Sequence, residues 1–88
     1  MIYTVIFTNK AKEHLTFLNS KNKHLVKRYK KLIDSILINP RAGLGKPERL
    51  KHYSNREVWS RRVDHKNRLV YEIKEDQLII LSLWNHYY

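Results

Sequence analysis

The chain has no cysteine. This excludes a disulfide framework, a thiolate zinc site and a cysteine nucleophile, and it suits a reducing compartment. Long apolar runs are also missing. The longest, Leu78 to Trp84, is seven residues and contains Ser82, whereas a membrane-spanning helix needs about 20. Met1-Ile2-Tyr3-Thr4-Val5 lacks a charged start ahead of an apolar stretch, so it does not read as a signal peptide. Glycine and proline are scarce, two of each, and the chain holds no internal repeat, low-complexity segment or linker. Acidic residues are the remaining shortage: 8 against 18 lysines and arginines, a net charge of +10. The 88 residues are expected to form one domain, residues 1–88, whose thin core buries roughly 60–65% of the unfolded surface. The expected location is cytoplasmic, with no membrane partner.

What is present points to a polyanion. A pI near 10.0 suits nucleic acid, an anionic membrane face or an acidic protein. Disorder is excluded by a hydrophobic content of 42% with six tyrosines and two tryptophans. The charge is uneven: residues 1–44 carry +7 and residues 45–88 carry +3. The second half mixes its signs, as a reactive site needs more than a basic tail does.

Hydrophobic patterning predicts the elements. Ile2 to Phe7 is β-branched and aromatic, hence a strand. Thr8 or Asn9 can cap a helix that places Ala11, Leu15 and Leu18 on one face. Asn19 to Asn22 reads as a polar break. A longer helix follows, with the stripe Leu25, Tyr29, Leu32, Ile33, Ile36 and Leu37, and with Lys23, Lys27, Arg28, Lys30 and Lys31 on its other faces. Asn39-Pro40 stops it. Arg41 to Pro47, which holds both glycines, is a loop. Arg49 to Lys51 is a short edge strand, and Val58–Val63, Arg68–Ile73 and Leu78–Trp84 are three strands joined by short polar turns. The predicted fold is α+β, with two helices packed on one face of a small antiparallel sheet.

Metal chemistry is not expected, because the five histidines are scattered and none pairs with a carboxylate at ligand spacing. Gly43-Leu44-Gly45-Lys46 is too short for a phosphate loop and leads into proline. Glu48 stands among Lys46, Arg49, Lys51 and His52. It is either a solvated loop acid or a general base kept ionised by its neighbours. Arg61, Arg62 and Arg68 flank the first hairpin turn. They form either a forked phosphate site or a charged edge that blunts aggregation, and the pattern leaves open which of Arg61 and Arg62 shares a face with Arg68. The terminal Trp84-Asn85-His86-Tyr87-Tyr88 can stack a base and donate a proton, or simply pack on the domain edge. Cleavage of RNA by its own 2′-hydroxyl would unite these features. Glu48 would be the base, Arg68 with Arg62 would face the phosphorane charge, and His86 would be the acid.

Four ordered blocks carry a resemblance: Gly45-Lys46-Pro47-Glu48-Arg49-Leu50-Lys51-His52, Trp59-Ser60-Arg61-Arg62, Asn67-Arg68-Leu69-Val70-Tyr71 and His86-Tyr87. Together they resemble the YoeB (Txe) toxins, a branch of the RelE-like toxin–antitoxin endoribonucleases, over essentially the whole chain. The resemblance implies the same α+β sandwich. It also implies Glu48 as general base, Arg68 as phosphate-stabilising arginine and His86 as general acid. Lys51 and Arg62 match RNA-contacting basic residues, and Tyr87 matches a tyrosine that positions the substrate. The implied activity is metal-independent cleavage of messenger RNA at the ribosomal A site, leaving a 2′,3′-cyclic phosphate, with no cofactor. The implied partners are a YefM-type antitoxin with an acidic tail and a second copy of the chain. Two features depart from the family pattern: Tyr88 follows the His-Tyr pair, and the Tyr53–Glu57 segment is slightly longer. The alternatives are a non-catalytic basic RNA- or ribosome-binding module and a pseudo-toxin that only pairs with an antitoxin.

Overall fold

The computed structural model describes residues 2–84. The elements follow in the order β1 (Thr4–Phe7), α1 (Asn9–Lys21), α2 (Lys23–Ile38), β2 (Glu48–Arg49), β3 (Glu57–Arg62), β4 (Arg68–Lys74) and β5 (Gln77–Ser82). Thr8 starts α1: its side chain accepts the Ala11 N–H at 3.1 Å, taking up one of the donors a helix leaves bare at its first turn. α1 runs on through the Asn19-Ser20-Lys21 stretch expected to break it, because these side chains are exposed and need no apolar neighbour. Asn22 alone separates the helices. α2 buries Tyr29, Leu32 and Ile36, spaced three and four residues apart as the stripe predicts. It ends at Asn39-Pro40 with the Asn39 N–H on the Ser35 carbonyl at 3.0 Å.

The strands form one sheet in the order β1-β5-β4-β3-β2. From β2 to β5 every pairing is antiparallel, as predicted, but β1 lies parallel to β5, so the sheet is mixed. The two-helix connection returns the chain to the far edge, a geometry that local alternation in β1 cannot encode. The edge strand β2 covers Glu48–Arg49 instead of Arg49–Lys51. Leu18, Tyr29, Leu32 and Ile36 from the helices pack against Leu69, Tyr71, Ile73, Leu78 and Ile80 from the sheet. Among the described residues no helix is long and apolar enough to cross a membrane.

One core position breaks the apolar pattern. Arg61 is opposite Leu69 and has 0% exposure. Its guanidinium donates to the carbonyls of Asn39 (2.7 Å), Ala42 (3.0 Å) and Leu44 (3.0 Å), to Ser35 Oγ (2.8 Å) and to the Tyr71 hydroxyl (3.1 Å). The planar fork thereby gathers the α2–β2 loop onto the end of the helix. Tyr71 in turn donates to the Pro40 carbonyl at 2.6 Å, and burial raises its phenol pKa. At Gly45 (φ +88°) a Cβ would lie 2.7 Å from Leu32 Cδ2, and the Gly45 carbonyl accepts the Arg62 N–H at 2.7 Å. Only glycine lets the backbone come this close, and that contact sets the path into β2.

Candidate active site

β2 hydrogen-bonds to β3 with Glu48 opposite Ser60, and β3 to β4 with Arg62 opposite Arg68. Side chains at paired and alternate positions share a sheet face. Glu48, Ser60, Arg62 and Arg68 therefore stand on one face, and Arg61 points the other way, into the core. This resolves the choice left open by the sequence: Arg62 is the arginine that accompanies Arg68, while Arg61 holds the scaffold.

Arg68 Nη1 donates to Ser60 Oγ at 2.9 Å and lies 3.4 Å from Glu48 Oε1. The Glu48 side chain is 63% exposed and that of Arg68 28%, so their ion pair is a weak surface contact of about 1 kcal/mol or less. Glu48 is thus oriented by a contact weak enough to be exchanged for another. Arg62 is exposed and directly opposite Arg68. Two like charges facing across a strand pair repel, and an anion between them would remove that penalty.

The backbone under both arginines is fixed. In the β3–β4 turn, Asp64 Oδ1 accepts the N–H groups of Lys66 (2.9 Å) and Asn67 (2.8 Å), and the Val63 N–H donates to the Asn67 carbonyl at 2.9 Å. Burial opposes ionisation of Asp64, but these hydrogen bonds and the nearby His65 outweigh it and hold the carboxyl below the usual range. From α2, Arg28 donates to the carbonyls of Arg62 (3.2 Å) and Val63 (3.3 Å). A cleft of about 330 Å³ opens beside this turn, lined by Arg28, Gly45, Lys46, Arg62, Val63, Asp64 and His65. It extends the positive surface away from Arg62.

Of the residues expected in the site, the structure brings together Glu48, Arg62 and Arg68. Lys51 is exposed in the turn after β2, and among the described residues no hydrogen bond or ion pair ties it to the other three. His86 and Tyr87 lie outside the described residues. Ser60 was not anticipated. The clue was available, since it alternates with Arg62 along β3, but a serine gains meaning only when the register sets it between Glu48 and Arg68. Among the described residues no three His, Asp or Glu side chains gather as metal ligands would.

Known proteins match this chain in sequence and in fold. The model of the YoeB-like toxin of the bacterial type II toxin–antitoxin system matches residues 7–87. Toxin YoeB of Streptomyces coelicolor is 37% identical over 83 residues, covering 94% of this chain and 98% of that protein. The YoeB dimer from Staphylococcus aureus superposes with a TM-score of 0.85 at 35% identity, covering 99% of this chain and all of that one. YoeB in a heterotetrameric YoeB–YefM toxin–antitoxin complex from Staphylococcus aureus gives 0.84 at 32% identity, with 99% and 100% coverage. With its sheet-borne carboxylate and arginines, and with these matches spanning nearly its full length, the chain belongs to the YoeB-like toxins of bacterial type II toxin–antitoxin systems.

Proposed function

We propose that this toxin is a metal-independent endoribonuclease that cuts messenger RNA in the ribosomal A site and so arrests translation. The observation that carries the reading is the single-face constellation of Glu48, Ser60, Arg62 and Arg68. Glu48 takes the proton of a 2′-hydroxyl, whose oxygen attacks the adjacent phosphorus. Arg68, oriented by Ser60, and Arg62 donate to the non-bridging oxygens as negative charge builds there. The bond from phosphorus to the 5′-oxygen breaks, His86 protonates that oxygen, and a 2′,3′-cyclic phosphate remains. Lys51 contacts the RNA and Tyr87 helps position it, as the family resemblance implies.

A purely RNA-binding surface is the competing reading, and Glu48 argues against it. A carboxylate inside a cationic patch repels phosphate, so binding alone gains nothing from it, whereas proton abstraction requires it. The partners we propose follow from charge and kinship: a YefM-type antitoxin whose acidic segment competes for the basic face, and a second toxin copy, as in the Staphylococcus aureus dimer. The toxin is expected to act in the cytoplasm. The test is controlled expression of wild type and Glu48→Gln with mapping of messenger RNA 5′-ends. Cuts within translated frames should appear with wild type and fall at least about 100-fold in the variant, with ribosome binding kept. Undiminished cutting by Glu48→Gln overturns the general-base assignment.

A further inference from the structure

Beside the reacting face, three cations converge on one cleft of about 330 Å³. Arg28 comes from α2, Lys46 from the loop before β2 and Arg62 from the end of β3. Among the described residues no carboxylate pairs with any of them. Asp64 is the one acid on the wall, and its oxygens are engaged by the N–H groups of Lys66 and Asn67 and by the Asn67 side chain. Arg28 gives its Nε and Nη2 to the carbonyls of Val63 and Arg62, so among the described residues its Nη1 has no protein partner. Lys46 adds an independent sign. Its φ is +51°, in the left-handed region, and Pro47 follows it. A side chain costs energy there, and a following proline favours extended backbone instead. Of the other non-glycine residues with positive φ among those described, Asn55 and Glu75, neither precedes a proline. A glycine would relieve the strain, yet this exposed position holds a lysine. Strain kept at an exposed cation points to a ligand.

We propose that this cleft is a second phosphate site, which takes the backbone phosphate next to the scissile one on the same RNA strand and holds it with Lys46 and Arg28. The proposal rests on the endoribonuclease reading above. Arg62 joins the two sites: it stands on the face of Glu48, Ser60 and Arg68, and it also lines the cleft. Consecutive phosphates of a strand are separated by one ribose. A strand whose reacting phosphate lies at Arg68 and Arg62 therefore carries its neighbour past Arg62 toward Lys46. That continuity favours the RNA strand over an acidic peptide. Three positive charges around a small cleft repel one another, and a phosphate among them removes that repulsion. The bound phosphate does not react, so its contacts are equal in the ground state and the transition state. They lower KM and leave kcat alone.

The test uses ribosomes programmed with a synthetic messenger in which phosphates across the A-site codon are replaced, one at a time, by a neutral methylphosphonate. On the native messenger, Lys46→Gly should raise KM at least about fivefold with kcat within about twofold. It should also flatten the log–log dependence of KM on salt by about 0.7, the share of one phosphate on a single strand. Lys46→Arg, which keeps the charge, should restore most of the loss. The urea midpoint of Lys46→Gly should hold or rise, since glycine relieves the strain; a clear fall overturns the strain argument for Lys46. At one position, methylphosphonate should raise the wild-type KM by a similar factor and add less than about twofold in Lys46→Gly, where the contact is already gone. An unchanged KM in Lys46→Gly overturns the proposal, and weaker antitoxin binding beside it would assign the cleft to the acidic partner. Methylphosphonate effects equal in both toxins at every position overturn it as well, and assign the lysine to ribosomal RNA. The same comparison made as Kd in the Glu48→Gln background needs no cleavage and keeps the two readings apart. Wild-type toxin that cuts nothing, or Glu48→Gln that cuts at full rate, refutes the endoribonuclease reading, while the Kd comparison still decides the cleft.

Discussion

Arg61→Met is the substitution whose effect the structure specifies most closely. Methionine fills much of the same space but supplies none of the five hydrogen bonds the guanidinium makes. Three of the five acceptors keep another partner: Ser35 Oγ still receives the Leu44 N–H, the Tyr71 hydroxyl still donates to the Pro40 carbonyl, and the Asn39 carbonyl still accepts the Ala42 N–H at 3.4 Å. The carbonyls of Ala42 and Leu44 bear the loss. An acceptor stripped of its partner costs about 1–3 kcal/mol, and because this loop reaches the surface, water recovers part of it. About 1 kcal/mol each, or roughly 2 kcal/mol in all, is a working lower figure. A chain of this size has only about 4–13 kcal/mol of stability. The variant should therefore melt about 8 °C lower or more, at roughly 4 °C or more per kcal/mol. Urea unfolding followed by fluorescence of Trp59, on the same strand, measures the change. Arg61→Lys should recover little of it, since a point charge cannot reproduce the fork. A loss below about 1 kcal/mol at unchanged m-value in Arg61→Met would refute the reasoning and mean that the loop is held by other contacts.

Two further outcomes are expected. Ser60→Ala removes the acceptor that orients Arg68; with one hydrogen bond of about 1 kcal/mol at stake, messenger RNA cleavage should slow about fivefold while the urea midpoint barely moves, and an unchanged rate counts against the positioning role. The Glu57 carboxyl is held below its usual value of 4.5 by the Arg41 guanidinium, against the opposing effect of burial and with help from the Trp59 indole N–H. A lowered folded-state pKa stabilises the protein above the unfolded value and is lost as pH falls through the folded one. Wild type should thus be more stable than Glu57→Gln at neutral pH and lose that margin on acidification below about pH 4. Parallel urea titrations check this, and a margin that persists to pH 2 would show that its source is not ionisation.

The helices were legible because their periodicity is local. Leu25, Tyr29, Leu32 and Ile36 announce the buried stripe of α2 without knowledge of anything else in the chain. The polar Asn19-Ser20-Lys21 stretch misleads because polarity marks exposure, and an exposed helix face is as polar as a loop. β2 starts one residue earlier and ends two residues earlier than expected for a different reason: its extent is set by hydrogen bonds to β3, not by its own residues. The parallel placement of β1 is likewise a property of the pair. In the site, Glu48, Arg62 and Arg68 could be named as candidates from residue type, and the four motif blocks ordered them. The distinct tasks of Arg61 and Arg62 could not be read, because alternation says that neighbours face opposite ways but not which way is inward. An arginine is also the last residue one would place in a core. Its identity as a scaffold element depends on carbonyls 17 to 22 residues away in sequence.

The parallel pairing of β1 with β5 has a consequence for how the molecule comes into being. Thr4 meets Gln77, and β5 lies between β1 and β4, so the first strand made has no partner until nearly the last one exists. At about 5–20 residues per second of synthesis, the interval between them is roughly 4–15 s. Contacts this remote in sequence close slowly even once the chain is complete. During that time Val5 and Phe7 are denied the core, and β4 presents an open edge of seven residues. The nascent toxin is thus a different physical object from the finished one. It lacks β5 and leaves both the apolar side chains of β1 and the edge of β4 uncovered.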